Sequence, residues 1–166
     1  MRLERTFFER DPVTVARGLL GCVLVHMVEG QRRAGRIVET EAYLAEGDAA
    51  AHIAYGRKAS LRALELGPGT VYIHPMRQYV GMDIIAGRGS ILLRGLEPLE
   101  GIAGVLNGPA KLTRAMGISR VYDGGSVLAK DSALWVEAGE AAGKIVTGPR
   151  VGITRDVDLP LRFRLV

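Results

Sequence analysis

The sequence is poor in cysteine, histidine, lysine and aromatic rings, and each scarcity removes a class of explanation. A single cysteine, Cys22, excludes an intrachain disulfide and any multi-cysteine zinc site. It lies in the apolar run Leu19 to Val25 and reads as a buried strand residue rather than a nucleophile. The three histidines, His26, His52 and His74, are far apart and follow no metal-ligand spacing. No metal and no other cofactor is therefore expected. No apolar run approaches the ~20 residues that span a bilayer. The start, Met1-Arg2-Leu3-Glu4-Arg5, carries no apolar signal stretch. The expectation is a cytoplasmic chain that does not associate with membranes. What remains is ordinary for a globular protein: 48% apolar and 24% charged residues in 166, which suits one domain over residues 1–166.

The basic residues are 18 Arg against only 4 Lys, for a net charge of +4. Residues 50–96 hold Arg57, Lys58, Arg62, Arg77, Arg88 and Arg94 against Glu65 and Asp83, an excess equal to that of the whole chain. Guanidinium groups bind phosphate in a planar fork, so a local arginine excess fits nucleic-acid contacts. An ordinary solvated surface explains the same charge.

Local patterns predict the elements. Asp11 caps a helix with Pro12 in its first turn, running to about Leu20. Cys22 to Met27 and Arg33 to Ala42 read as strands joined by a turn at Glu29-Gly30. Tyr43 to Ser60 has no sustained period and reads as a long loop with a short alanine turn at residues 49–51. After the Gly67-Pro68-Gly69 turn come strands at Thr70 to Ile73, Tyr79 to Ile85 and Ser90 to Gly95. A helix is expected from Pro109 to Met116. Short strands are expected at Leu134 to Glu137, Ile145-Val146, Val151 to Thr154 and Arg162 to Leu165. The fold class is α+β: a mixed, mostly antiparallel sheet with a few short helices.

Several residues have the chemistry for a site. In Glu39-Thr40-Glu41-Ala42-Tyr43, strand alternation puts Glu39, Glu41 and Tyr43 on one face. That face is either a solvated exterior or a pocket wall in which a carboxylate acts as general base. Tyr43 and His52 have the ring chemistry to stack on a flipped base, although a histidine after an alanine run is also a common structural residue. In His74-Pro75-Met76-Arg77-Gln78, Met76 is either a wedge of the kind that unstacks DNA or a filler. Arg94, inside the apolar Leu92 to Leu96 run, needs an anion or carbonyl partner such as Glu41 or Glu97. Lys111, just after Asn107-Gly108-Pro109-Ala110, marks a helix start that suits a phosphate, or simply a helix start.

Taken together, these residues resemble the alkyladenine (3-methyladenine) DNA glycosylases of the animal type, which also occur in bacteria. The strongest pieces are Gly35 to Leu44, Ala50-Ala51-His52, Pro68 to Tyr72 and Leu92 to Gly101. Gly108 to Leu112, Arg150-Val151-Gly152 and Pro160 to Phe163 follow in the family's order. The resemblance implies a cofactor-free enzyme acting on double-stranded DNA that contains damaged purines, and a monomer is expected because sliding along DNA needs no more. By it, Glu41 matches the general base, while Arg94 and the carbonyl of Val151 match groups that hold the nucleophilic water. Tyr43 and His52 match the residues that sandwich the flipped base, with Ala51 beside them. A protruding hairpin at Pro75 to Gln78, with Met76, Arg77 and Gln78, matches the element that enters the minor groove. The chain departs from the pattern at three places. Met76 stands near where animal members have a tyrosine wedge. His74 falls where a second stacking tyrosine is usual, and Asp83 where the pocket floor often has asparagine, which leaves the lesion range open. The chain is also shorter at its N-terminus than the animal members.

One carboxylate is enough for such chemistry. An N3- or N7-alkylated purine is already cationic and leaves without protonation, unlike a sugar leaving group that needs its own acid. The expected mechanism is direct displacement by water with no Schiff base, on 3-methyladenine and 7-methylguanine, with hypoxanthine and ethenoadenine as further substrates. Two rival readings stand beside it. One is a non-catalytic nucleic-acid-binding module. The other is a nucleoside hydrolase using Glu39 and Glu41 as a carboxylate pair.

Overall fold

The computed structural model describes residues 1–166. Its spine is strand β2, Gln31–Leu44, the longest in the chain. It follows β1, Val23–Val28, through the two-residue turn Glu29-Gly30. Both turn residues have positive φ, 50° and 77°, the twist that lets two antiparallel strands join in so few residues. Beyond the spine come β3, Val71–Met76, β4, Tyr79–Ala86, and β5, Gly89–Glu100. Three short strands complete the set: β6, Leu134–Glu137, β7, Ile145–Gly148, and β8, Arg162–Leu165. The sheet order is β3-β4-β5-β2-β1-β6 and every pairing is antiparallel. β1 covers one edge of β2 only as far as Arg36. From Glu39 to Glu41 that edge is taken by β8, which is itself paired with β7.

Four short helices lie on this curled sheet: α1, Arg5–Phe8, α2, Pro12–Gly18, α3, Lys58–Leu66, and α4, Pro109–Met116. The side chain of Asp11 accepts from the amide of Thr14 at 2.9 Å, so α2 begins where the Asp-Pro pair says it should. The core lies under α2 and α4, with Phe8, Leu19, Leu24, Ile37, Ile84, Leu93, Leu112 and Phe163 essentially sealed from solvent. Cys22 is buried and free, one residue ahead of β1. No helix is long and apolar enough to cross a membrane.

Three expectations need correction. The long loop after Tyr43 ends early, because α3 starts at Lys58. That helix has no side-chain cap and buries only Ser60 and Ala63, so its apolar stripe is too thin to announce itself. Val151 to Thr154 is not a strand. The amide of Val151 is given to a side chain, and Gly152 turns the chain at a φ of 75°. Residues 74–76, expected between strands, belong to β3, which continues to Met76 and leaves a two-residue turn, Arg77-Gln78. β3 is an edge strand, where the missing amide of Pro75 is tolerated.

Candidate active site

Alternation along β2 separates its two faces as expected. Thr40 points inward and donates to the carbonyl of Ala16 at 2.9 Å, and Ala42 is fully buried in the core. Glu39, Glu41 and Tyr43 share the other face. Opposite them the ladder is irregular: Glu39 pairs with Gly95 and Thr40 with Leu93, so Arg94 has no partner in the register. Such a bulge re-aims a side chain, and here it turns Arg94 onto the carboxylates. The Arg94 Nε atom donates to Glu39 at 3.1 Å and lies 3.8 Å from Glu41.

Glu41 has no solvent exposure, yet each oxygen is occupied. The Tyr43 hydroxyl donates to Oε1 at 3.0 Å and the Val151 amide to Oε2 at 2.8 Å. Burial pushes the Glu41 carboxyl above its ordinary value, and the Val151 amide, Arg94 and Tyr43 oppose that shift. The Tyr43 phenol is pushed up strongly, first by burial and then by Glu41 and Asp83, so it stays a donor. Tyr43, Arg94 and Val151 all line a cavity of about 450 Å³, and Glu41 lies directly behind them.

Glu39 is held differently. It accepts from both Arg94 and Arg162, and Arg162 reaches it from β8. With two guanidinium groups on one oxygen, Glu39 is a structural counter-ion and does not line the cavity.

The far wall is built by β3, β4 and β5. His74 Nε2 and Asp83 Oδ1 are 2.9 Å apart, and the Ser90 hydroxyl donates to Asp83 Oδ2 at 2.6 Å. All three are nearly buried, at 7%, 5% and 4% exposure. His52 stands at right angles to His74 with ring centres 5.0 Å apart, and its Nδ1 is 3.0 Å from the Tyr72 hydroxyl. Burial, then the neighbouring His74, moves the His52 imidazole below its ordinary value, which keeps it neutral.

A family model described as methylpurine-DNA glycosylase matches residues 6–166. The chain belongs to this family. A protein of Anaeromyxobacter dehalogenans (strain 2CP-1) with the name "Putative 3-methyladenine DNA glycosylase" is 39% identical over 158 residues, which span 92% of this chain and 75% of that one. Relatives of the same name from Methanoculleus marisnigri and Clostridium perfringens are each 38% identical. Their matches span 99% and 92% of this chain, and 95% and 88% of theirs.

For this methylpurine-DNA glycosylase family member, the structure gathers Glu41, Tyr43, Arg94, Val151, His52, His74, Asp83 and Met76 at or behind one cavity. It also moves some of the expected residues aside. Ala51 is fully buried, and Ala50 lines the cavity instead. Met76 is half-buried at the last pair of the β3–β4 hairpin and lines both the cavity and an adjoining groove. The exposed tip is Arg77 and Gln78, with Arg77 held at a φ of 57°, which costs an L residue about 1–2 kcal/mol. Lys111 is exposed on α4, and its Nζ donates to Asn107 at 2.8 Å.

Sequence reasoning missed the pair that ties the site together. Arg150 and Asp48 form a two-pronged ion pair, at 2.6 and 2.7 Å, with no exposure on either side chain. Asp48 also accepts from the amides of Leu44 and Ala50, and Arg150 donates to the carbonyl of Ala42. The guanidinium sits 4.6 Å from the centre of the Tyr43 ring. Burial alone would raise the Asp48 carboxyl, but the bonds from Arg150 and the two amides outweigh it and hold it below its ordinary value. The pair thereby fixes the loop that carries Ala50 and His52, the ring of Tyr43, and the backbone next to Val151. No local pattern signals it, because its members are 102 residues apart.

Proposed function

We propose that this chain hydrolyses the N-glycosidic bond of alkylated purines flipped out of duplex DNA, with Glu41 as the general base. One observation carries the reading: a fully buried carboxylate, bonded to Tyr43 and Val151 and beside Arg94, directly behind a cavity of a size suited to one ring ligand. The flipped base stacks against Tyr43 and His52, and cation–π attraction to Tyr43 favours an electron-poor alkylated ring. Water attacks C1′ of the sugar, the C1′–N bond breaks with its electron pair going to the base, and the proton of the water goes to Glu41. A cationic base departs neutral, so no acid is required. Burial raises the basicity of Glu41 in a site from which bulk water is excluded, which suits this task. The Nη atoms of Arg94 have no protein partner and serve to hold the water or a phosphate oxygen. The chain acts as a monomer without cofactor, and the hairpin tip, with Met76, Arg77 and Gln78, fills the gap left in the stack. 3-Methyladenine and 7-methylguanine are the proposed substrates.

The test is Glu41→Gln, assayed on duplexes carrying a single 7-methylguanine or 3-methyladenine. Lesion binding is expected to persist while base release falls at least 100-fold. Release at the parent rate overturns the assignment. Borohydride should trap no enzyme–DNA adduct; a trapped adduct would refute direct displacement. The nucleoside-hydrolase alternative is weakened by Glu39, whose carboxylate is held by two arginines.

A further inference from the structure

Glu39 and Arg162 take no part in the chemistry above, although both stand next to it. Arg162 is the register partner of Glu41 where β8 pairs with β2, and its side chain runs diagonally to Glu39. Oε1 of Glu39 accepts from Nε of Arg162 on one side and from Nε of Arg94, at 3.1 Å, on the other. The three groups form a row from β8 through β2 to β5. Their side chains are 23%, 11% and 14% exposed, too dry for any of them to stand unpaired. Gly95 leaves the row its room, since a Cβ there would stand 3.0 Å from the Cβ of Glu39.

The form of the contact sets this row apart from an anchoring pair. Arg150 and Asp48, which tie two segments together, meet in the two-pronged form. Glu39 takes only Nε of Arg94 and leaves both Nη nitrogens without a protein partner, on a side chain that lines the cavity. The same Nε lies 3.8 Å from Oε2 of Glu41, too far for a hydrogen bond. Two carboxylates therefore compete for one guanidinium, and Glu39 holds it. With Glu39 neutral, nothing would oppose the collapse of Arg94 onto Glu41. That contact would occupy the carboxylate, stabilise its charged form and make it a weaker base.

We infer that Glu39 and Arg162 are positioning residues: Arg162 holds Glu39, and Glu39 holds Arg94 off Glu41 with its Nη fork open to the substrate. The inference rests on the glycosylase reading above and adds to it the two residues that keep the cation and the base apart. The charged groups around Glu41 are Arg94 from β5, Arg150 beside Val151, and Arg162 across the ladder on β8. Tyr43 lies on its own strand, and Asp83 stands across the cavity on β4. Of the three arginines, Arg94 alone lies close to two carboxylates, at 3.1 and 3.8 Å, while Arg150 is taken by Asp48 and Arg162 by Glu39. Arg94 is thus the one cation whose place depends on a balance, and Arg162 and Glu39 set that balance.

The experiment measures single-turnover release of 7-methylguanine, and binding to the same lesion duplex, between about pH 4 and 8. It compares the parent with Glu39→Gln, Arg162→Gln and Arg162→Lys. Release by the parent should fall at the acid end, as Glu41 takes up a proton. Glu39→Gln should lower release about 10-fold or more at neutral pH and move that acid limb about one unit to lower pH, because Arg94 closes on Glu41. Arg162→Gln should also lower release but move the limb to higher pH, because Glu39, freed of one guanidinium, draws Arg94 further from Glu41. Arg162→Lys keeps the charge and should restore the parent limb. Lesion binding should stay within about threefold of the parent in all three, since the balance acts on the chemical step. A parent rate and limb in both glutamine variants, limbs that move the same way, or a loss of binding that matches the loss of release would each overturn the positioning role. Arg162→Gln decides the matter alone where Glu39→Gln does not fold. A parent without the acid limb would refute Glu41 as the base, and one that releases no 7-methylguanine would refute the glycosylase reading itself.

Discussion

At the scale of single residues, the site is built against stability. Glu41 is a carboxylate with no solvent exposure, and its folded-state basicity is raised chiefly by burial. For a raised carboxyl, the fold gains most below the ordinary value of 4.5 and loses that gain as pH rises through the folded value. At neutral pH the ionised side chain is therefore a cost. Glu41→Gln should raise the melting temperature at pH 7–8, by about 2–4 °C for each kcal/mol recovered, and leave it nearly unchanged at pH 4. Thermal unfolding of the two proteins at both pH values checks this, and an equal shift at pH 4 and pH 8 would disconnect the effect from ionisation. Glu39 shows the opposite design, since two guanidinium groups compensate it and hold it in place.

At the scale of elements, β2 organises the chemistry because it changes neighbours along its length. Its first half pairs with β1 and its second with β8, which brings Arg162 to Glu39. The segment after β2 has little regular structure and depends on Asp48 and Arg150 for its shape. Removing one member strands a buried charge, a loss of about 3–5 kcal/mol. Asp48→Ala should thus destabilise the fold by that amount in denaturant titrations. It should also reduce base release when assayed well below the melting temperature, because Tyr43, His52 and the Val151 amide lose their common anchor. A variant with parent stability would show that the pair is not carrying this segment. Arg150 Nε is the one buried side-chain polar atom without a partner, a cost the two-pronged pair absorbs.

At the scale of the molecule, acidity and salt act on different groups. Burial, ahead of other causes, puts His26 and His52 below their ordinary 6.5. Groups with depressed values contribute stability above the ordinary value and lose it as pH falls. In Glu41→Gln, where the opposing carboxyl is gone, the melting temperature should therefore decline between pH 6.5 and 5. The carboxyl of Asp48 adds a second decline as pH falls below 3.8. A pH-independent melting temperature of that variant from pH 7 to 5 would contradict the neutral state of both histidines. Binding to DNA, by contrast, should weaken steeply and linearly in log salt, in proportion to the phosphates contacted. That arginine excess in residues 50–96 makes the slope a direct measure of the proposed interface.

Where a signal is local, the sequence determined the outcome. The Asp11–Pro12 start of α2, the Glu29-Gly30 turn and the shared face of Glu39, Glu41 and Tyr43 each follow from the conformational limits of a few adjacent residues. So do the limits of α4, with proline in its first turn and left-handed Gly117 after its end. The tertiary structure decided everything that depends on which distant groups share a low-dielectric interior. It set the Val151 amide on Glu41, 110 residues away, and with it the loss of the expected strand at 151–154. It also set the Asp48–Arg150 anchor and the Arg162 clamp on Glu39, 123 residues away. The physical reason is that a buried charge must find its partner in space, and spacing along the chain carries no record of that choice.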